Sequence, residues 1–102
     1  MLKDDVDYLI IDEACQAIEP ATLIPMQMNA ARVILVGDHR QLPATVFSRD
    51  SVATGFCRSL FERFADSDVS TFMLTTQYRM HPEISAFPSK EFYGNKLKDH
   101  SS

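Results

Sequence analysis

Residues 8–16 read YLIIDEACQ, a short apolar run that ends in two adjacent carboxylates, Asp12 and Glu13. This pattern is typical of a buried parallel strand whose carboxyl end delivers charge to a phosphate site. Open α/β sheets bind ligands beyond the carboxyl ends of their strands, so both acids are expected at the reaction site. In phosphoryl transfer one carboxylate holds Mg²⁺, and a second group orients or deprotonates the attacking water. A solvated turn after a core strand is the alternative explanation of this segment.

Two further segments have the same organisation, an apolar run followed by polar residues. Residues 32–36 (RVILV) lead into GDHRQLP at 37–43, and residues 72–74 (FML) precede TTQYRMHP at 75–82. An arginine that emerges from a strand end can neutralise charge on a phosphate, which makes Arg79 a candidate transition-state group. Each segment alone is a weak signal. The three together, in this order, are hard to explain by chance.

These segments resemble motifs II, III and IV of the superfamily 1B helicases, the 5′-to-3′ enzymes that include senataxin and the nonsense-mediated-decay helicase. The matching strings are DEACQ at 12–16, GDHRQLP at 37–43 and QYRMHP at 77–82. The resemblance extends from about Val6 to about Asp99. Ala44 departs from the pattern because many relatives carry a second proline there, which should loosen the loop slightly without removing chemistry.

The resemblance implies an α/β fold: part of a RecA-like P-loop NTPase, built as a three-layer sandwich around a parallel sheet. Residues 1–76 would form the C-terminal part of the first RecA-like domain, and residues 77–102 the interdomain link and the start of the second. No GxxxxGK[ST] loop occurs, and none of the three glycines lies in one. We therefore expect an internal piece of a helicase core that is inactive without N- and C-terminal helicase segments.

The resemblance also implies roles for individual residues, with ATP and Mg²⁺ as cofactors. Asp12 would hold Mg²⁺, and Glu13 would be the general base or the water-positioning group. Gln41 matches the motif III glutamine that reports the γ-phosphate to the rest of the core. Arg79 matches the motif IV arginine that stabilises transition-state charge. Tyr78 would lie against the nucleotide or simply pack.

Three neighbouring polar residues are expected to support these groups. Gln16 and Asp38 are predicted to form a hydrogen-bond web that joins motifs II and III. His81, directly before Pro82, is predicted to cap a helix and not to bind a ligand.

The implied function is ATP hydrolysis coupled to movement of the intact core along single-stranded RNA or DNA, in the nucleus or the cytoplasm, with the nucleus favoured. Two alternatives stay open: a truncated, non-catalytic remnant that acts only as a binding module, and the core of a nuclease-linked helicase. The net charge of −4 argues against a basic nucleic-acid face within this segment. The binding channel would then be lined largely by other parts of the core.

Composition excludes several other classes. The two cysteines lack a Cys-x-x-Cys pattern, so neither zinc nor a disulfide framework is indicated, and both are expected to be reduced, buried thiols. No stretch approaches the roughly 20 apolar residues of a membrane span, and no membrane role is expected.

The remaining pattern predicts the secondary structure between the motifs. With too few strands for a complete sheet, the chain alone should expose apolar surface and an unpaired strand edge. The predicted elements are strand 6–11, a helix from Pro20 that Pro25 kinks or shortens, strand 32–36, loop 45–54, helix 55–65 and strand 71–77. A last helix is predicted to open at Pro82 and end at Pro88, with one further turn suggested by Ser89, Glu91 and Phe92.

Overall fold

The computed structural model describes residues 5–100 and divides into two compact units, one up to Val69 and the other from Ser70. The first unit contains β1 (Tyr8–Ile11), a 3-10 turn (Ala14–Gln16), α1 (Glu19–Met26), β2 (Arg32–Leu35), α2 (Arg49–Ala53) and α3 (Leu60–Ala65). The second contains β3 (Thr76–Gln77), α4 (Pro82–Phe92) and β4 (Lys98–Asp99). Strands β1 and β2 pair in parallel, as do β3 and β4, so the predicted α/β fold with parallel strands is confirmed.

The β1–β2 pair brings together the two segments that follow these strands. Ile11 lies opposite Leu35 at the carboxyl end of the pair. The ladder continues beyond it: the Val36 N–H donates to the Ile11 carbonyl, and the Ala14 N–H donates to the Val36 carbonyl, both at 2.9 Å. Parallel pairing therefore places the residues after Ile11 beside the residues after Leu35.

The small core of the first unit includes two residues of the 3-10 turn. Its buried apolar side chains are Ala14, Cys15, Ala44 and Leu60. A bidentate ion pair ties α3 to α1, because Arg63 Nη2 lies 2.6 Å from Glu19 Oε1 and Arg63 Nε donates to Glu19 Oε2 at 2.9 Å. This hydrogen bonding lowers the pKa of Glu19 and raises that of Arg63.

Large apolar side chains of the sheet and of α1 remain exposed, as predicted. Ile10 is 63% exposed and Ile24 is 68% exposed. Parallel strands normally have both faces covered by helices. These side chains are therefore surfaces that a complete α/β sandwich would bury.

The predicted loop over residues 45–54 is wrong, because it contains α2. Ser48 caps this helix by accepting a hydrogen bond from the Ser51 N–H at 3.3 Å, and Asp50 adds an acid to the first turn. None of the helix residues is buried. The segment therefore has no apolar period by which a sequence could reveal it.

The helix predicted over residues 55–65 begins later, at Leu60. Ser59 is its cap and accepts from the Glu62 N–H at 3.1 Å. Gly55 has a positive φ of 82°, which is incompatible with a helix start there. Phe56 lies at helical spacing from Leu60 and Phe64, but it precedes the helix that these two residues belong to.

The strand predicted over residues 71–77 is reduced to Thr76–Gln77. Phe72 is 93% exposed and Leu74 is 86% exposed. A strand needs a partner for its backbone groups, and among the described residues β4 pairs with Thr76 and Gln77 and donates one further bond, from the Lys98 N–H to the Thr75 carbonyl at 2.7 Å.

Pro88 does not end the last helix, contrary to the prediction. Helix α4 continues through it to Phe92, so it lacks only the hydrogen bond that the Pro88 nitrogen cannot donate. The helix ends where the Asn95 N–H donates to the Ser89 carbonyl at 2.8 Å. Gly94 and Asn95 both have positive φ there, as expected of a helix C-terminus. Pro20, in contrast, lies in the first turn of α1 as predicted.

Candidate functional site

The motif II segment forms a tight turn at the carboxyl end of β1. The Glu13 N–H donates to Asp12 Oδ1 at 2.9 Å, and Gln16 Nε2 donates to Glu13 Oε2 at 3.4 Å. Glu13 has φ 51° and ψ 37°, the left-handed region that residues other than glycine seldom occupy. Such a conformation costs about 1–3 kcal/mol and is typical of functional sites. Both carboxylates are exposed.

The motif III segment is organised around Asp38. Its Oδ1 accepts the Arg40 N–H at 2.9 Å, and its Oδ2 accepts Gln41 Nε2 at 3.0 Å. The Gln41 N–H also donates to the Asp38 carbonyl at 3.2 Å. These bonds fix the Gln41 side chain, which is exposed, on the loop that follows β2.

Cys15 and Gly37 form the contact between the two loops. A Cβ on Gly37 would lie 2.9 Å from Cys15 Sγ and 3.2 Å from the Cys15 nitrogen, so only glycine allows this approach. Burial, with a further contribution from the Asp38 charge, raises the pKa of Cys15 to about 11. Cys15 is therefore a free, buried thiol at neutral pH, as predicted, and its role is packing.

Replacing Gly37 with alanine should destabilise the chain. The added Cβ meets backbone nitrogens that cannot rotate away, and such overpacking costs about 1–3 kcal/mol in free energy of unfolding. Urea unfolding of Gly37→Ala should show a lower midpoint. The control is Cys15→Ala/Gly37→Ala, which removes the closest contact and should recover part of the loss. An unchanged midpoint for Gly37→Ala would contradict the close approach.

The geometry thus places Asp12, Glu13 and Gln41 on neighbouring loops at one end of the sheet. Within the predicted web, the Gln16 side chain bonds within motif II and the Asp38 carboxylate bonds within motif III, while the Asp38 backbone is also hydrogen-bonded to the Cys15 thiol of motif II. The loops themselves are joined by the Ala14–Val36 backbone bond and by the contact of Cys15 with Gly37.

An exposed carboxylate at the carboxyl end of a parallel strand can bind a magnesium ion. Mg²⁺ at phosphate sites commonly uses one or two protein carboxylates, with water and phosphate oxygens as its other ligands. Asp12 can supply such a carboxylate. Over residues 5–100, no group of three or more His, Cys, Asp or Glu side chains forms a metal cage.

The motif IV segment lies in the second unit and turns around the amide of Gln77. The amide oxygen Oε1 accepts the N–H of Arg79 at 3.0 Å and of Met80 at 2.7 Å. The amide nitrogen Nε2 donates to the Met80 carbonyl at 2.7 Å and to Asp99 Oδ1 at 2.6 Å. The Asp99 contact could not be predicted from local sequence patterns, since 22 positions separate the two residues.

Arg79 and Tyr78 both present exposed side chains on this turn. The Arg79 guanidinium makes no ion pair with any residue that the structure describes. The Tyr78 ring is 75% exposed and lies against His100, with 4.5 Å between ring centroids. His81 caps α4 as predicted, because its Nδ1 accepts the Glu83 N–H at 3.3 Å.

Comparison with known proteins assigns the family. Two family models, each described as an AAA domain, match residues 1–49 and 56–102. The probable helicase MAGATAMA 3 of Arabidopsis thaliana is 55% identical over 93% of this chain. Helicase SEN1 of Saccharomyces cerevisiae is 48% identical over 91% of it. The chain belongs to the superfamily 1B helicases. The predicted partial RecA-like fold agrees with this assignment.

A third relative of this helicase chain is the "regulator of nonsense transcripts 1" homolog of Drosophila melanogaster, 43% identical over 89% of the chain. The chain spans 12% of the Arabidopsis protein, 4% of the yeast protein and 8% of the fly protein. In the part of the helicase chain that the structure describes, no helix has the length and apolar character needed to cross a membrane. The roles of the site residues and the domain limits at residue 76 stay predictions.

Proposed function

We propose that this chain supplies the hydrolytic groups of an ATP-dependent helicase that moves 5′ to 3′ on single-stranded RNA or DNA. The observation that carries the proposal is the placement of Asp12, Glu13 and Gln41 beyond the carboxyl ends of two adjacent parallel strands. That is the position where open α/β sheets bind nucleotides. The family assignment adds nucleotide and divalent metal as the general requirements of such proteins.

Asp12 and Glu13 divide the work of hydrolysis in this proposal. Asp12 would hold Mg²⁺, which supplies a positive charge that stabilises the transferring phosphoryl group. Glu13 would accept the proton of the attacking water, or orient that water, as its general base. The two carboxylates have different hydrogen-bond partners, the Glu13 N–H for Asp12 and the Gln16 amide for Glu13, and in this proposal they serve different atoms.

Gln41 and Arg79 would respond to the γ-phosphate. Gln41 is held by Asp38 on the loop beside Glu13, where an amide can contact both a phosphate oxygen and the attacking water. Arg79 is exposed and unpaired among the described residues, and so is available to a phosphate. In the intact helicase, closure of two RecA-like domains around ATP would bring this arginine to the transferring group.

Tyr78 would contact the nucleotide with the ring face that His100 does not cover. Backbone contacts to the nucleic acid would dominate binding to the strand, so no sequence preference is expected. The net charge of −4 assigns most of that contact to other parts of the protein. We place the protein in the nucleus or cytoplasm, and favour the nucleus because of the similarity to the senataxin branch.

The test compares this chain with the full-length helicase that contains it. The chain alone should show no ATP hydrolysis, because it carries no phosphate-cradling P-loop. The full-length protein should hydrolyse ATP faster when single-stranded RNA or DNA is added, and should unwind duplexes with a 5′ tail but not those with a 3′ tail.

Each outcome has a defined meaning. Hydrolysis by the chain alone that depends on Glu13 would contradict the need for a P-loop. A full-length protein that binds nucleic acid without hydrolysing ATP would support the non-catalytic remnant. Nuclease activity in the same polypeptide would identify the nuclease-linked alternative.

A further inference from the structure

The Gln77 amide uses its full hydrogen-bonding capacity. Its oxygen accepts from the backbone N–H groups of Arg79 and Met80, and its nitrogen donates to the Met80 carbonyl and to Asp99 Oδ1. A side-chain amide offers two donors and two acceptor lone pairs, so none is left over. The orientation of the amide is therefore unambiguous, because rotation by 180° would set donors against donors.

Asp99 fixes this amide from the neighbouring strand. Gln77 and Asp99 are direct partners in the β3–β4 register. Asp99 Oδ1 also accepts from the Ser85 hydroxyl at 2.6 Å, and Ser85 is 3% exposed. The carboxylate is thus held by one buried hydroxyl while it holds the Gln77 amide. The two hydrogen bonds, that of Ser85 first, lower the pKa of Asp99, so it is charged at neutral pH.

We propose that Asp99 is a positioning residue for Arg79 that acts through the Gln77 amide. The Arg79 N–H is bound to the same amide that Asp99 orients, so the carboxylate determines where the Arg79 side chain leaves the turn. Errors of about 1 Å in the placement of a reacting group can cost on the order of 10²-fold in rate. The inference rests on the proposed role of Arg79 at the γ-phosphate.

The first experiment measures ATP hydrolysis by Arg79→Ala, Asp99→Ala and the double variant in the full-length helicase. Asp99→Ala should lower kcat roughly tenfold, because Arg79 stays present but is less well placed. The affinity for ADP, which lacks the γ-phosphate, should change by less than about twofold. The double variant should be no slower than Arg79→Ala, since the effect of Asp99 passes through the arginine. The matched control is Asp66→Ala, which removes an aspartate bonded to Arg58 on the surface of the first unit.

Two results would overturn the inference while leaving the proposed function intact. One is a normal kcat for Asp99→Ala beside a slow Arg79→Ala. The other is a double variant whose loss is the product of the two single losses, the pattern of a residue that acts independently of Arg79. Normal turnover by Arg79→Ala would instead overturn the proposed role of Arg79, and this inference with it.

A second pair of variants decides the matter if Asp99→Ala does not fold. Gln77→Glu keeps the acceptor for the Arg79 and Met80 N–H groups but opposes a carboxylate to Asp99, so kcat should fall. Gln77→Glu/Asp99→Asn reverses donor and acceptor across the same pair and should restore part of that kcat. A Gln77→Glu defect that Asp99→Asn leaves unchanged would overturn the inference.

Discussion

Replacing Glu13 with glutamine in the full-length helicase should lower kcat for ATP hydrolysis on the order of 10²-fold or more, as loss of a general base does. The amide keeps the size of the carboxylate but cannot take the proton of the attacking water. ATP binding should change little, because in the proposed mechanism Asp12 would still hold Mg²⁺ and the nucleotide would keep its other contacts. Steady-state hydrolysis and equilibrium binding of ATP measure the two quantities separately.

The matched control for this prediction is Glu91→Gln, which makes the same chemical change at an exposed position of α4. It should turn over ATP at the normal rate. If Glu13→Gln instead kept its kcat and lost only nucleotide affinity, Glu13 would be a binding residue and the general base would lie elsewhere.

Arg79→Ala should have the larger effect, a fall in kcat on the order of 10³-fold, the lower end of what arginine fingers contribute. The guanidinium is exposed and makes no ion pair within residues 5–100, so the substitution breaks no described side-chain contact. ADP affinity should hardly change, because Arg79 is proposed to interact with the γ-phosphoryl group in the transition state, and ADP lacks that group. Single-turnover hydrolysis and ADP titration test both parts.

Lysine at position 79 should rescue poorly, since a point charge cannot reproduce the planar, multi-donor guanidinium. Arg49→Ala, which removes an exposed arginine from α2, is the control and should leave turnover normal. Full activity of Arg79→Lys, or an equal fall of ADP affinity and kcat, would mean that Arg79 is a structural group and not a transition-state group.

The strand pair and its flanking loops could be predicted because their signals are local. An apolar run such as that of β1 indicates a strand, and the polar residues after it mark the carboxyl end. Parallel pairing then requires the loops after β1 and β2 to be neighbours. Glu13 and Gln41 therefore lie on adjacent loops, as the motifs suggested.

The elements that were mispredicted depend on contacts that periodicity does not record. Helix α2 is held by its Ser48 cap and buries no side chain, so its sequence resembles a loop. Residues 71–75 have the composition of a strand, but in the described chain β4 reaches this segment only at the Thr75 carbonyl. Proline ends helices in general. In α4 the one hydrogen bond that Pro88 cannot donate is tolerated, and the helix ends later, at the turn around Gly94.

The candidate site divides in the same way. Asp12, Glu13 and Arg79 could be selected from the motif strings, because their proposed roles depend on the type of side chain at a motif position. The left-handed backbone of Glu13 and the bond from Gln77 to Asp99 could not, since the first depends on the turn as a whole. The second depends on a strand pairing between distant segments.

The backbone of Glu13 also bears on how this helicase could be engineered. Glycine at position 13 would relieve the left-handed strain and is the substitution that a search for thermostable variants would favour there. It would also delete the carboxylate on which hydrolysis is proposed to depend. Selection for thermal stability should therefore favour glycine at position 13, and selection for ATP hydrolysis should favour glutamate. Libraries screened on stability alone are expected to lose ATP hydrolysis through this substitution.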